Sequence, residues 1–389
     1  MFQGTKLQHL RTLHNLSRNE LGKKLGISEQ AIWQFETGLT EPKFSNVTQL
    51  CTLFAVKSNY FYREVELQSQ FSQSNLVYRL ADNTSLKGVN AEIAYLDSVN
   101  YIIRYLESML IVPETKMVYL RQMIKEIYLS HTVKDATLFD QLAQIVRDQL
   151  GIVDNHKLLF QLERAGIHIL EKDVVGRADA YSAWSAENIA YIVLSKYKPL
   201  VRQNFDLAHE LGHLLMHFDI DILDLDKQGY KQLEDEANAF ASSFLLPKQE
   251  IIEDLNGMNK FSNPDAYKPL KLKYNVSIQA LEMRAYKLGY LSPKQHSYFY
   301  RQINLKQYKN LEPFDTELSP QRPGKIRYLL DTVLKNELTT LQELEDYFGV
   351  KLKFLEQLFS ISHKFFEKYL VEATIISWTG NYYQIEKED

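Results

Sequence analysis

Apolar residues recur at spacings of three and four over most of the chain and at strand-like spacing in one stretch only, which predicts a mainly helical protein with one small sheet. Near the N-terminus Ser17-Arg18-Asn19-Glu20 forms a capping box, Gly26 ends the helix it opens, and Ser28 starts the next, over about 28–36. Leu21, Leu25, Ile32 and Phe35 pin these two helices together, and a further helix over 45–54 follows Pro42. A polar stretch at 68–85 reads as a linker. Beyond it, Ile93, Leu96, Val99, Ile103 and Leu106 mark one buried stripe on a long helix over 90–110, stopped by Pro113. Helices over 137–150 and 158–165 precede three strand-like runs at 167–170, 180–184 and 190–194. Past Pro247 the pattern is helical again. Residues 341–359, broken by Gly349, resemble a second helix-turn-helix, and 375–385, with Gly380-Asn381, suggest a terminal hairpin.

Length and composition narrow this picture. A chain of 389 residues is long enough for two or three domains, and 45% apolar with 24% charged residues describes a folded, soluble protein. A formal charge of −4 supplies no global attraction to nucleic acid or acidic membranes, so such binding has to come from a local patch. Cys51 is the single cysteine, which excludes an intrachain disulfide and any multi-cysteine zinc site, and its flanking Leu50 and Leu53 mark it as core. The N-terminus has no secretion-type pattern and no stretch spans a bilayer, so the expectation is a cytoplasmic protein with no membrane partner.

The chemistry lies in His209-Glu210-Leu211-Gly212-His213, set in an apolar helical run. Residues four apart share a helix face, so His209 and His213 can address one metal ion, while Glu210 borders the same cavity as general base. A catalytic zinc takes three protein ligands, and Glu234, Asp235 and Glu236 offer carboxylates on the next helix. Glu236, at four-residue spacing from Phe240, is the expected third ligand. His217 lies too far along the helix to share the ion, and a supporting role is expected for it. For stabilising a developing oxyanion Tyr181, Arg177 and Arg202 are all available.

The run 202–217 resembles the signature of the ImmA/IrrE metallopeptidases, and Glu236-Ala237-Asn238-Ala239-Phe240-Ala241 with Leu245-Leu246-Pro247 resembles their second motif. Upstream, Asp179-Ala180-Tyr181-Ser182-Ala183-Trp184 sits where that family has its small sheet, so the resemblance covers roughly residues 85–290. It implies a zincin-like fold holding Zn2+ through His209, His213 and Glu236, with Glu210 as base, and a protein substrate of repressor type. The first 64 residues resemble the phage-repressor-like, XRE-type helix-turn-helix that many members carry.

The expected fold class is therefore α+β, mainly helical. Its expected parts are a five-helix-type helix-turn-helix domain (1–66), a linker and long helix (67–115), a zincin-like peptidase domain with a small sheet (116–255), a helical extension (256–300) and a mostly helical C-terminal domain for sensing or dimerisation (301–389). Double-stranded DNA is an expected partner of 1–66, with Arg18, Ser28, Gln30, Trp33 and Gln34 as candidate contacts. The presumed reading helix lacks Arg and Lys, the commonest guanine readers, although Gln30 or Gln34 can read adenine. Lys6, Arg11, Arg18, Lys23, Lys24 and Lys43 stand against Glu20, Glu29, Glu36 and Glu41, which leaves a mildly basic surface for phosphates. Two functions compete. One is a zinc endopeptidase that cuts a helix-turn-helix repressor, with room for a homodimer. The other is a transcriptional regulator or toxin-antitoxin component whose zincin domain acts as sensor or scaffold.

Overall fold

The computed structural model describes residues 1–64, 68–72, 85–174, 179–220 and 225–370, and the backbone of 376–379 and 382–385. Most of the linker expected at 68–85 lies outside these residues, as does the turn expected at Gly380-Asn381. The mainly helical α+β expectation holds, with one three-stranded sheet and a short terminal ribbon.

The N-terminal module comprises α1 (Gly4–Leu13), α2 (Arg18–Leu25), α3 (Glu29–Glu36), α4 (Phe44–Phe54) and, in place of a fifth α-helix, a 3₁₀ turn over Ser58–Tyr62. The capping box forms as the spacing requires: Glu20 N donates to Ser17 Oγ, and Ser17 N donates to the Glu20 carboxylate. Gly26 closes α2 at φ 67°, a left-handed conformation favouring glycine. Then come α5 (Leu86–Glu107), α6 (Met117–Ser130), α7 (Ala136–Leu150), α8 (Leu158–Arg164), β1 (His168–Lys172), β2 (Ala180–Trp184), β3 (Ala190–Ser195), α9 (Leu200–Met216), α10 (Lys227–Leu245) and α11 (Lys248–Asn256). The remaining helices are α12 (Lys268–Tyr274), α13 (Ile278–Lys287), α14 (Pro293–Leu305), α15 (Lys325–Lys335), α16 (Leu341–Phe348), α17 (Leu352–Phe359) and α18 (His363–Glu367).

The sheet has order β1-β3-β2, with β1 parallel and β2 antiparallel to the central β3. Side chains alternate across its plane, and here both faces are covered. Ile169, Ala190, Ile192 and Leu194 pack into a core shared with α6–α10, whereas Leu170, Tyr181, Ala183, Tyr191 and Val193 pack into a second core with α5. That second core also takes in Leu7, Leu21 and Ile32 of the N-terminal module and Leu330, Leu344 and Leu355 of the C-terminal helices. The helix-turn-helix is thus packed into the molecule through α5 and is not a free appendage.

Polar contacts follow the same seam. Tyr181 Oη donates to Glu92 Oε2 at 2.6 Å and Tyr191 Oη to Asn100 Oδ1 at 2.8 Å, tying strand residues to α5. The turn after α4 meets the turn between α16 and α17: Lys57 N donates to Gly349 O (2.7 Å), Lys351 N to Ala55 O (2.9 Å), and Val56 bridges Val350. Gly349 has φ 67°, and a Cβ there would lie 3.1 Å from Tyr60 Cα, so glycine is required twice over.

Phe348 sets its ring edge-on to Tyr101 and Tyr105 of α5, centroids 5.4 and 5.1 Å away. Replacing Phe348 by Ala is expected to cost about 3–5 kcal/mol, and because the core is shared, hydrogen-exchange protection should fall in α1 and α5 as well as in α16. Loss of protection confined to the C-terminal helices would contradict a common core.

Candidate metal centre

α9 is helical because an apolar stripe, Leu207, Leu211, Leu214 and Leu215, faces the core shared by α6–α10. α10 lies against it, and the contact is close at Gly212, where a Cβ would sit 3.0 Å from Phe240 Cδ1. The opposite edge of α9 is held by β2: Trp184 Nε1 donates to Leu214 O at 2.9 Å.

On the exposed side of that contact His209 Nε2 and His213 Nε2 come within 3.1 Å of each other. The carboxylate that joins them is Glu234, with Oε2 3.4 Å from His209 Nε2 and Oε1 3.3 Å from His213 Nε2. A tetrahedral zinc with bonds near 2.05 Å requires donors about 3.3 Å apart, so this His–His–Glu spacing fits such an ion. Burial alone would lower the His209 pKa, but Glu234 and Glu210 reverse it, and the two histidines pull Glu234 well below the usual carboxylate range against its burial.

The geometry thus presents Glu234, and not the expected Glu236, to the two histidines. Glu234 and Asn238 are four apart on one stripe of α10, and Asn238 Oδ1 lies 3.1 Å from His209 Nδ1. Glu236 lies on the neighbouring stripe with Phe240, which turns it inward. There it accepts from Tyr128 Oη (2.6 Å), Gln232 Nε2 (2.9 Å) and His217 Nε2 (3.1 Å). His217 Nδ1 is 3.0 Å from His213 Nδ1. A proton on each of His217 Nε2 and His213 Nδ1 makes a relay from Glu236 through His217 to His213 that leaves His213 Nε2 as a lone-pair donor.

Glu210 is nearly buried, and Ser182 Oγ donates to its Oε2 at 2.7 Å. Ser182 reaches it because alternate residues of β2 face α9. Tyr181, one residue earlier, therefore points the other way and is spent on Glu92. Arg202 is held by Asp179 (2.6 Å) and Asp206 (3.2 Å), and Arg177 lies outside the described residues. Ser182, Asn238 and Tyr128 had no role in the sequence reading. The four-residue step from Glu234 to Asn238 was a usable signal, whereas Tyr128 stands 108 positions from Glu236 and had none.

In the N-terminal module Arg18 Nε binds Glu36 Oε2 at 2.6 Å, beside Arg11 Nε on Glu36 Oε1, and Ser28 Oγ caps α3 by accepting from Ala31 N at 3.1 Å. Gln30 and Trp33 face outward, Gln34 is half-buried, and Phe44, at the start of α4, is 83% exposed.

Residues 162–286, which carry the sheet and every α9 and α10 residue above, match the family model of the IrrE N-terminal-like domain, a peptidase family. Residues 7–61 match the helix-turn-helix model. Over 52 residues the chain is 40% identical to an uncharacterized HTH-type transcriptional regulator of Methanocaldococcus jannaschii, which is 13% of this chain and 79% of that protein. No helix among the described residues is long and apolar enough to cross a membrane. The sequence motifs and both family matches agree that this chain carries an IrrE/ImmA-like domain over 162–286 and an XRE-type helix-turn-helix domain over 7–61.

Proposed function

We propose that the protein is a zinc-dependent endopeptidase whose target is a helix-turn-helix repressor, and that its own helix-turn-helix module engages double-stranded DNA. The observation carrying this reading is the spacing of His209, His213 and Glu234 with Glu210 held beside them. These three residues would hold the ion, which supplies Lewis acidity toward a peptide carbonyl and toward water. Glu210 accepts a proton from the attacking water and returns it to the leaving amine. Ser182 keeps the Glu210 carboxylate in one orientation by donating to Oε2, and Asn238 and His217 fix the two imidazole rings. The repressor target follows from the family resemblance. A DNA-engaging module is supported by the similarity to an HTH-type regulator.

Glu210→Gln should retain zinc yet cleave the repressor encoded nearby about 10²–10⁴-fold more slowly, read by co-expression and immunoblot. Normal cleavage by that variant would sink the peptidase reading. Zinc titration separates the two carboxylates: Glu234→Ala should abolish stoichiometric binding, and Glu236→Gln should weaken it by about 10–100-fold. The reverse order would return Glu236 to the ligand set. For the module, Gln30→Ala should abolish preference for a footprinted site while leaving salt-sensitive, non-specific retention. Sequence-selective DNA retention unaffected by chelating the metal, together with no proteolysis, would favour the regulator-with-scaffold reading instead.

A further inference from the structure

The C-terminal helices copy more of the N-terminal module than one turn. Setting Thr340 on Ser17, each the cap of its helix, brings Glu343 onto Glu20 and Gly349 onto Gly26, and it ends α17 at Phe359 where α3 ends at Glu36, with no insertion or deletion. The same alignment carries the core across. Leu7, Leu10, Leu21, Leu25, Ile32 and Phe35 fall on Leu330, Val333, Leu344, Phe348, Leu355 and Leu358, and all twelve are buried. Matching core positions on three successive helices make α15, α16 and α17 a repeat of α1, α2 and α3.

The outward positions carry across as well, and there the chemistry changes. Ser28, Gln30 and Gln34 become Lys351, Lys353 and Gln357, all three exposed. Neither lysine has an ion pair among the described residues. Lys353 and Gln357 are four apart and so share one stripe, while Leu355, Leu358 and Phe359 hold the other side of α17 in the core. Two positions depart from the pattern: Glu356 replaces Trp33 and lies half-buried, 2.6 Å from His363 Nδ1, and buried Leu341 replaces Arg18. The second helix of this motif enters the major groove by its N-terminal residues, where lysine can reach guanine N7 and O6 or a phosphate and glutamine can read adenine. α17 thus has, at the matching places, the cations that α3 lacks.

We propose that α15–α17 form a second site for double-stranded DNA, with α17 as its reading helix and Lys351, Lys353 and Gln357 as its contacts. The backbone bonds from Lys57 N to Gly349 O and from Lys351 N to Ala55 O join this unit directly to the N-terminal module. The assignment rests on the reading that α1–α3 engage DNA, and different substitutions test the two.

Fluorescence anisotropy of the full chain with a mixed-sequence DNA duplex, over a salt series, reads the site. The double variant Lys351→Gln/Lys353→Gln should bind about tenfold or more weakly at low salt and should lower the slope of log K against log salt by about 2, one for each lysine, with circular dichroism unchanged. Lys260→Gln/Lys294→Gln, which removes the same charge from exposed positions elsewhere, should bind as the parent chain does. The proposal is overturned if the Lys351/Lys353 variant changes neither affinity nor slope, if the control variant weakens binding equally, or if the parent chain binds no duplex. Gln30→Ala decides the other assignment: binding that depends on the two lysines and not on Gln30 keeps the C-terminal site and removes the N-terminal one.

Discussion

The sheet is buried on both faces, and the period-two alternation of β2 and β3 is the constraint from which the arrangement of the molecule follows. Even-numbered residues of these strands pack on α6–α10 and odd-numbered ones on α5. A one-residue slip in register would exchange the faces completely. Ser182 would leave Glu210, and the Tyr181 hydroxyl would be driven into an apolar core. The same alternation therefore orients Glu210 and, through Tyr181 and Tyr191, attaches the helix that carries the helix-turn-helix module.

Buried carboxylates mark the joints of this assembly, since a buried charge is tolerated only when it is paired. Glu36 takes two arginines inside the N-terminal module, and Glu92 takes Lys172 and Tyr181 between α5 and the sheet. Glu236 takes three donors, from α6, from His217 just after α9 and from α10 itself. Glu234 differs in kind: its carboxylate faces the His209 and His213 imidazoles, and its side chain is more exposed than that of Glu236. The more deeply satisfied of the two carboxylates is Glu236.

The C-terminal helices repeat the local geometry of the N-terminal module. α16 opens on a capping box, Thr340 with Glu343, runs for eight residues and ends on Gly349 at φ 67° and ψ 27°; α2 opens on Ser17 with Glu20, also spans eight residues and ends on Gly26 at φ 67° and ψ 29°. The second helices differ in what they do with their faces. α3 leaves Gln30 and Trp33 outward, while α17 buries Phe354, Leu355, Leu358 and Phe359 in the shared core. One turn geometry serves an outward surface in the first case and a packing joint in the second.

What could be read from the chain alone was local. Capping residues, glycine stops and three-to-four periodicity located α2, α3, α4 and α5 to within a few residues, because these signals are satisfied within a turn or two of helix. The histidine pair was legible for the same reason, since a four-residue step fixes a shared face whatever surrounds it. Which carboxylate meets that pair was not, because Glu234 and Glu236 occupy adjacent stripes of one helix and only the way α10 lies on α9 selects between them. Tyr128, Ser182 and the two-faced sheet were likewise beyond reach, being set by contacts between residues far apart in sequence. The residues capable of the chemistry were determined by the sequence itself, and their partners were decided by packing, which no local periodicity encodes.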